Sequence, residues 1–204
     1  MQHSFRRKQK RRCSVNFHTH SELKDRHAFL SASKYHWLNY DADKLVSSYH
    51  NYYAQERGTK LHEFAAQCIR LGIKLPRTKS TLNAYVNDAI GFKLRPEQPL
   101  YYSDNAFGTT DAIGFRKNVL RIHDYKSGRL KASFKQLEIY AALFCLEYGI
   151  DPCSISLIEL RIYQSDEVRV ANPTGPQIQA VMDKIIESDR IIENLEEGEV
   201  DWMN

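Results

Sequence analysis

Cysteine is scarce and scattered: Cys13, Cys68, Cys145 and Cys153 are the four in 204 residues, and no Cys-x-x-Cys pair occurs. Such spacing offers neither a compact zinc site nor a disulfide framework, so reduced structural thiols are expected. No apolar run approaches the roughly 20 residues needed to span a bilayer. The basic N-terminus adjoins no hydrophobic signal region, and a soluble, cytoplasmic protein without a membrane partner is the expectation. Repeats and low-complexity linkers are missing too, which at this length argues for one α/β unit with a sizeable core. Acids are absent from the first twelve residues, where Arg6, Arg7, Lys8, Lys10, Arg11 and Arg12 stand; the formal charge is +4, so everything after them nets −2. An arm of this kind over residues 1–27 can neutralise phosphates, and it can equally be a solubilising tail. Residues 28–204 are expected to form a single domain.

What is present is an ordered series of elements. His18, His20 and His27 lie in a segment without periodicity and read as a polar connection. Residues 30–53 read as mostly helical, with either Ser31 or Ser33 as a cap; Tyr35, Trp37, Tyr40, Tyr49, Tyr52 and Tyr53 could stack on bases, but core packing is expected for most of these rings. Arg57 to Glu63 leads into an apolar helical pattern that stops near Gly72. A further helix is expected from Ser80 to Ile90, and Leu100 to Tyr102 are expected to open a sheet. Ser133 can cap a helix carrying Leu137, Tyr140, Ala141, Phe144 and Tyr148, which Gly149 terminates. Residues 155–163 read as an interior strand, 167–171 as an edge strand, and Pro176 as the first position of a long amphipathic helix ending near Gly198.

The richest stretch is residues 108–126, Gly-Thr-Thr-Asp-Ala-Ile-Gly-Phe-Arg-Lys-Asn-Val-Leu-Arg-Ile-His-Asp-Tyr-Lys. Thr110 to Arg116 and Val119 to Lys126 read as strands joined by a two-residue turn at Lys117-Asn118. Counting outward from Arg116 opposite Val119 brings Asp111 opposite Asp124, with Cβ atoms roughly 5 Å apart. Alternation puts Asp124 and Lys126 on one face and sends His123 and Tyr125 away. Facing carboxylates repel unless one is protonated or a cation lies between them, and hard oxygen ligands suit Mg²⁺ or Mn²⁺. The plain alternative is a surface hairpin with solvated charges. His62, beside the apolar face of its helix, can project an imidazole toward this hairpin or be an ordinary structural histidine. Gln136 and Tyr140 lie one turn apart and can orient the lysine, though Ser133-x-x-Gln136 is also a capping box and Tyr140 could be core.

In order along the chain, Leu30-Ser31-Ala32-Ser33, Gly58 with His62, Gly108-Thr109-Thr110-Asp111, Asp124-Tyr125-Lys126 and Gln136-x-x-x-Tyr140 resemble the motifs of the PD-(D/E)XK nuclease superfamily. The RecB-like branch, with its phage and CRISPR-associated exonucleases, is the nearest in pattern, over roughly residues 30–165. The resemblance implies a restriction-endonuclease-like fold: a mixed central sheet flanked by helices, with an N-terminal helical elaboration. It implies metal ligation by Asp111, Asp124, His62 and the main-chain carbonyl of Tyr125, and a catalytic Lys126 supported by Gln136 and Tyr140. Glu63 is a candidate supporting residue behind the ligands. The implied activity is Mg²⁺- or Mn²⁺-dependent hydrolysis of DNA, most specifically by an exonuclease acting on ends in recombination, repair or phage DNA processing, in a host cytoplasm if phage-encoded. DNA is the implied partner, beside a protein partner or a second copy of the chain. Thr110 stands where the superfamily's name has proline, and without clustered cysteines no iron-sulfur cluster is expected. The rivals are a catalytically silent nucleic-acid-binding or regulatory module on the same fold, and a structural domain whose terminal helix binds a protein.

Overall fold

The structure, a computed structural model, describes residues 18–21, 28–128 and 130–203, with side chains to residue 195. Most of the basic arm, with His27, lies outside the described residues. Contacts divide the chain into two compact units, residues 1–49 and 50–204. The first holds a 3-10 helix, Ala32–Asn39, and the start of helix α1, Ala42–Leu71. Ser31 precedes the 3-10 helix in extended conformation but makes no side-chain cap; its carbonyl instead accepts the Trp37 indole N–H at 3.0 Å. The core packing expected of the aromatic stretch is not found: none of Tyr35, Trp37, Tyr40, Tyr49, Tyr52 and Tyr53 is buried.

The second unit is a mixed α/β fold. Helix α1 runs unbroken through Gly58 and ends, as expected, at Gly72 in the left-handed region (φ 68°), with the Ile73 N–H closing on the Cys68 carbonyl at 2.9 Å. Helix α2, Thr81–Phe92, follows an extended Ser80. A five-stranded sheet has the order β1 (Arg95–Ser103), β2 (Ala106–Arg116), β3 (Val119–Lys126), β4 (Leu157–Gln164), β5 (Glu167–Ala171). All neighbours are antiparallel except β3 and β4, whose parallel pairing requires a crossover, supplied by helix α3, Lys135–Tyr148. Helix α4 spans Gly175–Met203, beginning one residue before Pro176 and continuing past Gly198. Thr174 and Gln177 close its first turn reciprocally, Thr174 N–H to Gln177 Oε1 at 2.8 Å and Gln177 N–H to Thr174 Oγ1 at 3.4 Å. That one glycine late in a 29-residue amphipathic helix does not stop it is consistent with its modest cost of about 1 kcal/mol.

Strand alternation sorts the core into two layers. Leu100, Ile113, Leu120, Ile122, Leu160 and Ile162 pack with α3 and with Ile178 and Met182 of α4. Ala112, Tyr125 and Tyr163 pack on the other side with Ala65, Cys68 and Ile69 of α1 and Tyr85, Val86 and Ala89 of α2. His123 belongs to the second side and is fully buried. Its Nδ1 lies 3.1 Å from the Tyr163 hydroxyl, which itself donates to Asp88 at 2.8 Å, so the network assigns the imidazole proton to Nδ1. Nε2 is left buried without a hydrogen-bond partner, 4.0 Å from Glu159 Oε1. Burial, then the Arg161 and Arg121 guanidinium groups, lower the His123 pKa to about 3 and keep the ring neutral.

Candidate metal centre

The β2–β3 hairpin has the expected turn. Lys117 and Asn118 both take positive φ, 51° and 60°, as a two-residue turn matching strand twist requires. The Asn118 amide donates to the Ser154 carbonyl at 2.7 Å and lies 3.0 Å from Ser156 Oγ, tying the turn to the segment before β4. The ladder runs in the expected register from Arg116 opposite Val119 to Ala112 opposite His123, and ends one step before Asp111 and Asp124. Beyond that point the Asp111 side chain takes over: its Oδ2 accepts the Tyr125 main-chain N–H at 2.8 Å.

The same Asp111 oxygen lies 3.2 Å from His62 Nδ1. Helix α1 can bring that imidazole in because Gly58, one turn earlier, packs against the residue after Lys126; a Cβ there would meet Ser127 Oγ at 3.0 Å. The hydrogen bond to Asp111 raises the His62 pKa against the opposing effect of burial, with further support from the charges of Asp111, Asp124 and Glu97. Three carboxylates therefore act on one imidazole.

Asp124 is 2% exposed, and its pKa is raised by burial first and by the Asp111 charge second. Lys126 Nζ pairs with Asp124 Oδ1 at 3.1 Å, while Asp124 Oδ2 is buried with no hydrogen-bond partner. A buried, unpartnered carboxylate oxygen beside a second carboxylate lacks the donor or cation that would make its burial tolerable. The donor set fits a hard divalent ion.

Lys126 also donates to Gln136 Oε1 at 3.0 Å, and Gln136 Nε2 donates to the Tyr140 hydroxyl at 3.1 Å. Because an ammonium only donates, the amide oxygen must face it, which turns the amide nitrogen to Tyr140. The capping box is not formed: the residue before α3 is Phe134, and Ser133 Oγ accepts the Lys135 N–H at 3.2 Å. Gly108 lets the Tyr140 ring lie against β2, a Cβ there meeting the ring at 3.0 Å. The connection from Lys126 to α3 is stapled from β4. Gln164, level with Lys126 in the parallel ladder, donates to the carbonyls of Gly128 at 2.7 Å and Leu130 at 2.6 Å and accepts the Ala132 N–H at 3.0 Å. Arg169 adds a bond to the Ala132 carbonyl at 2.8 Å.

One site residue escaped the sequence reading. Glu97 on β1 has a carboxylate oxygen within 4.8 Å of a ring nitrogen of His62 and a carboxylate oxygen of Asp111. The sheet was expected to open only at Leu100, whereas β1 begins at Arg95 and includes Pro96 and Pro99, which an edge strand tolerates. Its signal was an acid in the residues just before the hairpin, which only the β1–β2 register makes meaningful. The trio of His62, Glu97 and Asp111 does not include Asp124. Asp124, Lys126, Gln136 and Tyr140 form a second string, linked to the trio through Asp111 and the Tyr125 main chain. Glu63 is exposed and lines a cavity of about 370 Å³ together with His62, Gln67, Arg70 and Glu97. Compared with models of known protein families and with curated proteins, the chain matches none.

Proposed function

We propose that this protein is a metal-dependent DNA nuclease of the PD-(D/E)XK type, holding Mg²⁺ or Mn²⁺ through Asp111 and Asp124, with His62 and the Tyr125 carbonyl as further ligands. The observation that carries the proposal is Asp124: one oxygen on Lys126, the other buried and unpartnered, and a second acid beside it. Bound there, a divalent ion supplies charge neutralisation at a phosphodiester and acidifies water for attack. The chain's own part is positional. Asp124 and the Gln136 amide hold the Lys126 ammonium between them, so its positive charge faces the reacting phosphate and the incoming water. The phenol of Tyr140 fixes the amide, and the β2 backbone at Gly108 fixes the phenol. His62 orients Asp111 from α1, and the Tyr125 N–H orients it from β3. Hydrolysis in this arrangement leaves a 5′-phosphate, and the motif pattern favours an exonuclease acting on DNA ends.

The test is incubation of end-labelled linear single- and double-stranded DNA, and of closed circles, with Mg²⁺ or Mn²⁺ and with excess EDTA. Shortening of linear molecules with circles spared, abolished by EDTA, is the expected outcome. Equal cutting in EDTA overturns the mechanism, and DNA binding without metal-dependent product transfers support to a catalytically silent binding module.

A further inference from the structure

The apolar stripe of α4 contains an acid. Ile178, Val181, Met182, Ile185 and Ile192 recur at helical spacing, and Asp189 stands four residues after Ile185 and three before Ile192, on the face turned to the core. It is 6% exposed, a burial that aspartate rarely has unless paired. Its one partner is the Ser103 hydroxyl at the end of β1, which donates to one carboxylate oxygen at 2.7 Å and accepts the Asn105 N–H at 3.3 Å. The other oxygen of Asp189 makes no hydrogen bond or ion pair among the described residues. Nor is it sealed off: His123 Nε2 and Asp124 Oδ2 are the buried, unpartnered side-chain atoms there, so this oxygen keeps an opening.

The opening is a cavity of about 700 Å³, lined by Asp189 and by α3, α4 and the start of β2. Its walls are largely apolar, with Phe107 from β2, Ile139 and Leu143 from α3, and Val181, Ile185 and Ile192 from α4. Phe107 is 67% and Ile139 44% exposed, so the apolar surface around this concavity is contiguous and uncovered. The volume lies within the roughly 300–1,000 Å³ of small-molecule sites, whereas protein partners meet flatter surfaces. Two lysines also line it, but each is committed to a glutamate of its own helix, Lys135 to Glu138 and Lys184 to Glu187, both at 2.7 Å. Asp189 is therefore the fixed charge in the wall that lacks a counter-charge.

We infer that this cavity binds a small amphiphilic monocation: an apolar ring or chain ending in a primary ammonium, amidinium or guanidinium group. The head donates to the open oxygen of Asp189, which a buried carboxylate needs, and the body covers Phe107, Ile139 and Ile185. A neutral apolar molecule would leave the carboxylate without a donor, and an anion would be repelled by it. The site is separate from the acids of the hairpin and stands whether or not the chain cleaves DNA.

The experiment titrates the full chain, in EDTA at neutral pH, with three probes that share a naphthalene ring: naphthylmethylamine, protonated under these conditions, naphthylmethanol and naphthoate. Binding is read by calorimetry and by chemical-shift changes. Wild type should bind the ammonium at least about tenfold tighter than the alcohol, as a hydrogen bond between charged groups implies, and the carboxylate not detectably. Asp189→Asn keeps an oxygen for the Ser103 hydroxyl and should bind ammonium and alcohol alike. Ala180→Trp, at an exposed position of the lining, should lose both probes, and it decides the matter if circular dichroism shows Asp189→Asn to be unfolded. No ammonium binding by wild type, equal binding of all three probes, or a preference that survives in either folded variant overturns the inference. So does a dimer in sedimentation velocity that Ala180→Trp dissociates, since a second copy would then be the occupant.

Discussion

Lys126 has two partners and no freedom to spare: Asp124 on one side, Gln136 on the other. Lys126→Ala should therefore keep DNA affinity within a few-fold, since one charge among many contacts is lost, but slow cleavage by about 10²-fold or more. Filter binding beside single-turnover cleavage checks this, and a parallel loss of both would remove the lysine from the chemistry. His123 makes a different prediction. Between pH 6.5 and about 3 the unfolded chain holds a proton on this imidazole that the folded protein refuses, so its contribution lowers stability as pH falls through that window. Asp124 and His62, both with raised pKa values, work in the opposite sense because the folded state takes up their protons first. They are common to wild type and His123→Gln, so the difference between the two isolates His123. From pH 7 to 5 wild type should lose about 2 kcal/mol more than the variant in urea unfolding; equal losses would mean that His123 is hydrated after all.

Among the elements, the hairpin is where local chemistry and the site meet. Asn118→Ala removes an amide bound to the Ser154 carbonyl and leaves a left-handed position to a residue that dislikes it, and should cost about 1–2 kcal/mol in thermal or urea unfolding. Cleavage by the folded fraction should be unchanged, because the turn lies at the opposite end of the strands from Asp111 and Lys126. This hairpin was legible in the sequence because alternation, a two-residue turn and opposed acids all imposed one register. Helices α2 and α3 and strands β4 and β5 were legible for similar reasons, each having one strong period or one continuous apolar run. What misled was local punctuation. Gly198 reads as a stop, yet α4 continues past it. Ser133 reads as the cap of α3, yet Phe134 holds that position. The sheet was expected to open at Leu100, yet β1 begins at Arg95. Glu97 could not be recovered from a window of sequence, since its meaning depends on the strand opposite.

For the molecule as a whole, a centre of unpaired buried carboxylate should make stability depend on divalent ions. At a hundredfold excess over its dissociation constant, an ion bound only by the folded state adds about 2.7 kcal/mol, which for a chain of this size is roughly 5–10 °C in melting temperature. Differential scanning fluorimetry in Mg²⁺ or Mn²⁺ against EDTA should show that rise in wild type and lose it in Asp111→Asn; a chain indifferent to divalent ions would count against the centre. Among the described residues no helix is long and apolar enough to cross a membrane. The Gln164 staple adds a constraint in time. Every proposed ligand precedes β4 in the chain, but the connection from Lys126 to α3 is held by a residue made almost forty positions after that lysine. A nascent chain emerging from the ribosome would carry every proposed ligand before it could aim its lysine, so under the proposed function cleavage should begin only once β4 has been translated and docked.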